Sequence, residues 1–218
     1  MTIKAIFFDF DDTLGDRISY STDCYRAILT EYSGIEDPLL LESAVQDCVL
    51  WDEFGNISKN HVTEMLKKEY GITLPIGNFP EYWVNHQWRY AVPFEDSAET
   101  LQKLGERYQL GVITNGPAEI QRLKLKQSGL EQYFPPENII VSGDFGISKP
   151  DPRLFLIACE RLNVLPEEAV HVGDLYSRDV TGAMRAGMQA VWINCQTRRK
   201  GGDNVLKIAR ISDLLKYF

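Results

Sequence analysis

Cysteine is scarce in this 218-residue chain, which carries only Cys24, Cys48, Cys159 and Cys195. None stands in a CxxC or other metal-ligand spacing, and all are scattered through apolar patterns. The four read as small core residues of a protein in a reducing compartment. Positive charge is also short: 23 Lys and Arg face 31 Asp and Glu, a net charge of −8. A general nucleic-acid binder is excluded, because no basic face is available to displace phosphate counterions. Long apolar runs are missing, and no segment approaches the roughly 20 residues of a membrane span. The N-terminal apolar run is short and broken by Asp9, so no signal peptide is expected. Neither internal repeats nor low-complexity stretches are found. These absences predict a cytoplasmic protein with no nucleic-acid or membrane partner, a monomer or homodimer. Its length suits one large domain or a domain with a substantial insertion.

What the chain does have is concentrated at its start. The β-prone run Ala5 to Phe8 ends abruptly in three acids, Asp9, Asp11 and Asp12, followed by Thr13. Carboxylates so close repel one another, which calls for a bound cation, a lysine, or both. A strand that delivers Asp9 and Asp11 to its carboxyl tip has the geometry of an α/β active site.

Beyond Gly15 the pattern turns helical. Cys24, Tyr25, Ile28, Leu29 and Tyr32 recur at helical spacing, with Ser21 or Thr22 as N-cap and Gly34 as stop. Further helices are predicted from Pro38 to Phe54, from Ser58 to Gly71, and over the aromatic segment Tyr82–Tyr90. After Pro93 helices and strands alternate. The strands are Leu110–Thr114, Asn138–Ser142, Ala169–Gly173 and Gln189–Asn194; the helices are Glu95–Tyr108, Ala118–Ser128, Pro152–Leu162 and Ser177–Ala186. Alternation of this kind means right-handed crossovers and a parallel sheet covered on both faces. The predicted fold class is α/β: a doubly wound, Rossmann-like core (residues 1–15 and 93–218) with a helical-bundle cap (residues 16–92) inserted after strand one.

The carboxyl ends of these strands collect polar groups: Asp9 and Asp11, Thr114 and Asn115, Gly173 and Asp174 with Asp179 following, and Lys149 in the loop Ser148–Pro152. Two carboxylates, a hydroxyl, a lysine and further acids on one rim make a phosphoryl-transfer set, whose chemistry rests on positioning and charge neutralisation. In this the chain resembles the haloacid dehalogenase-like hydrolase superfamily along essentially its whole length. The DxDxT motif is matched by Asp9-Phe10-Asp11-Asp12-Thr13, the strand-ending Thr by Thr114, the motif lysine by Lys149, and the acidic GDxxxxD motif by Gly173-Asp174 and Asp179.

The resemblance implies a phosphatase-type member with a helical cap, acting on a small phosphorylated metabolite with Mg²⁺ as cofactor. It implies Asp9 as nucleophile and Asp11 as acid and base. Thr114 and Lys149, with backbone N–H groups near Asn115, would bind the phosphate, and Asp9, the Asp11 carbonyl and Asp174 would hold the metal. Asp179 would orient Lys149 or a metal-bound water, and Asp12 would be a bystander in the turn. An acid at Asp11 argues against dehalogenation, since halide leaves without a proton whereas an alkoxide needs one. A phosphomutase of the same superfamily stays open. A receiver-like phospho-Asp signalling protein would place its phosphorylated Asp on a later strand, ahead of the Thr.

Other polar residues are read more plainly. His171 is expected as a packed core histidine, and His61 and His86 as residues without partner spacing. Trp83, Trp88 and Tyr90 are expected in the bundle core. The run Arg198-Arg199-Lys200-Gly201-Gly202 reads as a solvated loop, with substrate steering as its alternative. Arg17 is the first cap-side cation to consider for substrate contact, and Lys59 the lysine that a Schiff-base chemistry would require.

Overall fold

The computed structural model describes residues 2–193 and 205–218, so Asn194, Cys195 and the Arg198–Gly202 run lie outside the described residues. In chain order the elements are β1 (Ala5–Phe8), α1 (Arg17–Tyr32), α2 (Pro38–Trp51), α3 (Lys59–Tyr70), α4 (Phe79–Gln87), α5 (Ser97–Gly105) and β2 (Gln109–Thr114). They continue with α6 (Ala118–Gln127), β3 (Ile139–Val141), α7 (Ser142–Phe145), α8 (Pro152–Arg161), β4 (Ala169–Gly173), α9 (Thr181–Arg185), β5 (Gln189–Ile193) and β6 (Leu206–Ile208). The chain forms two compact units, residues 1–16 with 93–218, and residues 17–92.

The first unit is built on a parallel sheet of strand order β3-β2-β1-β4-β5-β6. All four residues of β1 are buried, as are all five of β4. That is why both strands read as nearly unbroken apolar runs: helices cover both faces, and no alternation is needed. Successive strands step one way from β1 to β3 and the other way from β4 to β6. The crevice at the β1/β4 boundary is therefore the switch point where such sheets bind ligands. The chain leaves this unit and returns to it at one place. Gly15 bridges Pro93, and the Leu14 carbonyl accepts from Phe94 N (3.0 Å) and Ser97 Oγ (2.9 Å).

The second unit is helical, with a core of Cys24, Tyr25, Ile28, Leu29, Trp83 and their neighbours. Caps set its helix starts. Asp37 accepts from Leu39 N (2.9 Å) ahead of Pro38, and Ser58 accepts from Asn60 N (3.4 Å). Helix α1 begins earlier than its sequence suggests. Ser21 is buried within it and Thr22 Oγ1 donates to Ile18 O (2.7 Å), so these hydroxyls turn inward or back-bond instead of capping. Strand β6 and the single turns of Ile211–Lys216 escaped the periodicity, being too short to carry one.

Inside this helical unit three charges are buried together. Asp52 Oδ2 lies 2.6 Å from Arg17 Nη2, Asp52 Oδ1 pairs with Lys59 Nζ and accepts from the Tyr25 hydroxyl (3.3 Å). Lys59 also lies over the Trp83 ring, 4.7 Å from its centroid. Arg17 and Lys59, which the sequence raised as a substrate-contacting cation and a reactive amine, are thus both paired with a carboxylate of their own unit. Replacing Asp52 by Asn leaves two buried cations without their counter-charge. Breaking such a pair costs about 3–5 kcal/mol, so urea unfolding of Asp52→Asn is expected to show a loss of that order; a loss below about 1 kcal/mol would make the cluster incidental.

Candidate active site

β1 continues its pairing one residue past Phe8, with Asp9 N donating to Val172 O (2.9 Å). The chain then folds tightly on itself: the Phe10 carbonyl accepts from the amides of Thr13, Leu14 and Gly15, and Asp12 takes a left-handed φ of 57°. Asp is among the few non-glycine residues that adopt this conformation readily. The turn leaves the Asp9 side chain buried at the crevice and sends Asp11 in another direction.

Lys149 sits at the centre. Its Nζ lies 2.8 Å from Asp9 Oδ1, 2.7 Å from Asp179 Oδ1 and 2.9 Å from the Ile113 carbonyl. An ammonium has three protons, and here each has an oxygen to meet. The Lys149 backbone is clamped as well: Asn115 Oδ1 accepts from Lys149 N (2.9 Å) and Asn115 Nδ2 donates to Lys149 O (3.2 Å). The side-chain amide of Asn115 thus holds the lysine loop, whereas the phosphate-binding expectation concerns the backbone N–H groups near it. The neighbouring Gly116 N donates to Ser142 Oγ (3.0 Å), which fixes the turn after β2.

Asp179 is fully engaged. Oδ1 accepts from Lys149 and from His171 Nε2 (2.9 Å), and Oδ2 from Leu175 N (3.0 Å). It reaches this position from a π-helical turn, Tyr176–Val180, where the sequence predicts an ordinary helix from Ser177. Such turns favour functional sites because they re-aim a side chain. Gly173 makes the approach possible, since a Cβ there would lie 2.3 Å from Asp179 Cγ. His171 is buried, as expected, and lies edge-on to Phe155 at 5.1 Å. Its Nε2 meets a carboxylate oxygen, so that nitrogen carries the proton; the residue is thus a support of the site besides being core.

The electrostatics follow from the surplus of acid. Burial pushes the Asp9 carboxyl up to about 6 against the pull of Lys149. Burial also raises Asp174 well above the usual carboxylate range, and the charges of Asp179, Asp9 and Asp12 add to the effect. Asp12 is buried too, so its charge bears on Asp174 although the sequence reads it as a bystander. Asp179 differs: burial alone would raise it, but Lys149 and His171 outweigh this and hold it below the usual range. Lys149 is raised in turn, its two carboxylates overcoming the burial that disfavours its charge.

One carboxylate oxygen from each of Asp9, Asp174 and Asp179 falls within 4.8 Å of the others. Three acids around a single ammonium fit a hard divalent cation, and all donors are oxygens, as Mg²⁺ requires. With Asp179 occupied by three donors, Asp9 and Asp174 are the side chains left to ligate such an ion.

Asp11 points away from this group. Both of its oxygens meet Lys124 Nζ, at 3.0 and 2.8 Å, and Oδ2 lies 3.4 Å from Gln121 Nε2. Thr114 Oγ1 accepts from the same Gln121 nitrogen at 2.6 Å. The structure thus gathers Asp9, Lys149, Asp174 and Asp179 directly, and joins Asp11 to Thr114 through α6. Sequence reading missed Gln121 and Lys124. Both lie between the apolar Ile120 and Leu125 on the stripe of α6 that the fold buries, and it is this burial, not their residue type, that shows the pair needs partners.

Comparison with known proteins identifies the family. A family model described as haloacid dehalogenase-like hydrolase matches residues 3–187. The glyceraldehyde 3-phosphate phosphatase of Methanopyrus kandleri is 32% identical, covering 88% of this chain and 84% of that protein. The 5-amino-6-(5-phospho-D-ribitylamino)uracil phosphatase YigB of Escherichia coli is 33% identical, covering 92% and 86%. Among solved structures, a HAD phosphatase from Thermococcus onnurineus is 31% identical with a TM-score of 0.66, covering 99% of this chain and 97% of that one. With its acids, lysine and threonine at the carboxyl edge of a doubly wound sheet, this chain belongs to the haloacid dehalogenase-like hydrolase family.

Proposed function

We propose that this protein is a Mg²⁺-dependent phosphomonoester hydrolase acting on a small phosphorylated metabolite through a phospho-aspartate on Asp9. The observation that carries the reading is the Asp9 carboxylate, buried at the sheet's switch point and held by Lys149 at 2.8 Å. The two phosphatases named above support the reaction class. They differ in the molecule each is named for, so the substrate class carried over is no narrower than a small phosphate ester.

In the first half-reaction an Asp9 oxygen forms a bond to phosphorus as the phosphorus–ester oxygen bond breaks. Asp11 supplies the proton that the departing oxygen needs, because an alkoxide is a poor leaving group. In the second half-reaction a water oxygen attacks the phosphorus and its proton passes to Asp11. The Asp9–phosphorus bond breaks and inorganic phosphate is released. The Lys149 ammonium and the Thr114 hydroxyl stabilise charge on the transferring oxygens, and Lys149 keeps the nucleophile aimed. Asp179 and His171 keep Lys149 in place, and Asn115 fixes its loop.

Asp9, Asp174 and the Asp11 carbonyl would hold Mg²⁺, which would offset the repulsion between an anionic nucleophile and an anionic substrate. The sheet-edge residues are assigned to the phosphoryl group and the departing oxygen, which all such esters share. We therefore assign selection of the leaving group to residues 16–92, the helical unit, in the role of a cap. A cytoplasmic location belongs to the same reading, and the buried free thiols of Cys24, Cys48 and Cys159 are consistent with it.

The direct test is turnover of p-nitrophenyl phosphate by the purified full chain. Wild type is expected to hydrolyse it with Mg²⁺ and to stop when EDTA removes the metal; an inactive wild type, or one indifferent to EDTA, would count against the proposal. Asp9→Asn is expected to lose activity to background, and a mutant that retains it would sink the nucleophile assignment. Asp11→Asn is expected to lower the rate by about 10²–10⁴-fold, the usual share of general acid–base catalysis, while Mg²⁺ binding measured by calorimetry stays close to wild type. Loss of the metal instead would reassign Asp11 from proton transfer to ligation.

A further inference from the structure

Helix α6 carries a buried polar pair that none of the roles above uses. Gln121 and Lys124 stand one turn apart, both almost fully buried. Burying an ammonium and an amide is costly unless their partners are well placed, and the partners here are two of the proposed reactive groups. Lys124 Nζ meets both oxygens of Asp11. Gln121 Nε2 lies within reach of Thr114 Oγ1 (2.6 Å), Asn115 O (3.1 Å) and Asp11 Oδ2 (3.4 Å). A carbonyl and a carboxylate can only accept, so chemistry dictates that the amide nitrogen, not its oxygen, faces this group. Thr114 Oγ1 then accepts from Gln121, and its own proton is left for another acceptor. The close fit depends on Gly116, where a Cβ would come within 3.0 Å of Gln121 Cγ.

We propose that Lys124 and Gln121 are positioning residues with separate tasks: Lys124 sets the Asp11 carboxylate for the leaving group, and Gln121 sets the Thr114 hydroxyl for the transferring phosphoryl group. The inference rests on the phosphatase reading and deepens it. It separates the two halves of the transition state, because proton delivery concerns the departing oxygen alone, whereas Thr114 serves the phosphoryl group whatever departs. A buried ion pair kept for stability would make no such distinction.

The experiment compares phenyl phosphate with dinitrophenyl phosphate as substrates of the full chain with Mg²⁺. Phenol has an ordinary pKa of about 10 and gains from protonation on leaving. Dinitrophenolate departs without a proton. The readout is kcat/KM, which reports the first half-reaction only. Lys124→Met is expected to lower kcat/KM for phenyl phosphate about 30- to 100-fold, the scale of a misplaced catalytic group, and to shift the ratio of the two esters about tenfold or more towards dinitrophenyl phosphate. Gln121→Leu is expected to lower both esters by similar factors and leave the ratio within about threefold of wild type, since phosphoryl stabilisation is common to both.

A Lys124→Met enzyme slowed equally on both esters, or on neither, overturns the assignment of Lys124. A ratio shift in Gln121→Leu overturns that of Gln121. Should Lys124→Met fail to fold, as judged by circular dichroism, Lys124→Gln carries the same comparison with the same outcomes. A wild type inactive on both esters overturns the phosphatase reading and this inference with it; a wild type active on both, with variants that break the pattern, overturns this inference alone.

Discussion

The site turns on one buried ammonium. Lys149 Nζ has to answer Asp9, Asp179 and the Ile113 carbonyl together, and it can do so only where β1, β2 and the turn after β4 converge. Much of the local architecture serves that convergence. The parallel order places β1 between β2 and β4, Asn115 clamps the lysine's own backbone, and a π-helical turn lifts Asp179 back towards it. A lysine this deeply buried would shed its proton if its partners were removed. The partners would in turn be uncompensated carboxylates without it. Each component is therefore held by the charge of the others, and Gly173 permits the closest of the contacts.

That balance is incomplete, and the incompleteness is chemically useful. Asp179 draws enough positive charge from Lys149 and His171 to stay ionised, whereas Asp9 and Asp174 are raised by burial and by their acidic neighbours. One lysine cannot neutralise both the structural acid and the pair facing the crevice. The same surplus that disfavours ionisation of Asp9 and Asp174 is what a divalent cation would relieve. The arrangement thus divides four acids by environment. Asp179 is spent on structure, Asp9 and Asp174 stay available to a metal, and Asp11 is carried off to Lys124.

How much of this could be read from the chain alone follows from where the information lies. The strand ends were legible because a strand buried on both faces is a nearly unbroken apolar run, and the acid that follows it marks the carboxyl edge; Phe8-Asp9 and, past the buried His171, Gly173-Asp174 are such boundaries. Helix starts were less legible. Ser21 and Thr22 look like caps, yet both lie inside α1, and a hydroxyl that bonds the preceding turn looks no different in sequence from one that caps. The helix expected from Ser177 hid its π-helical turn because the extra residue serves a contact with Lys149, thirty positions away. Arg17 and Lys59 looked available in sequence and are instead paired with Asp52, since nothing local announces a distant counter-charge.

The least legible residues are those whose function is to hold another residue. Lys124 follows Asp11 by 113 positions, and on a helix surface a lysine is ordinarily a solvated side chain with an apolar stem. Only burial distinguishes it, and burial is a property of the fold. The same holds for Gln121, whose amide satisfies groups from the ends of two strands. Nucleophiles and metal ligands are recognisable by type and spacing because their chemistry restricts them. A positioning residue needs only reach, a donor and a dry environment, so several residue types could serve. In this chain the candidate nucleophile and metal ligands could therefore be named from the sequence, while Gln121 and Lys124 became visible only once α6 was packed beneath the sheet edge.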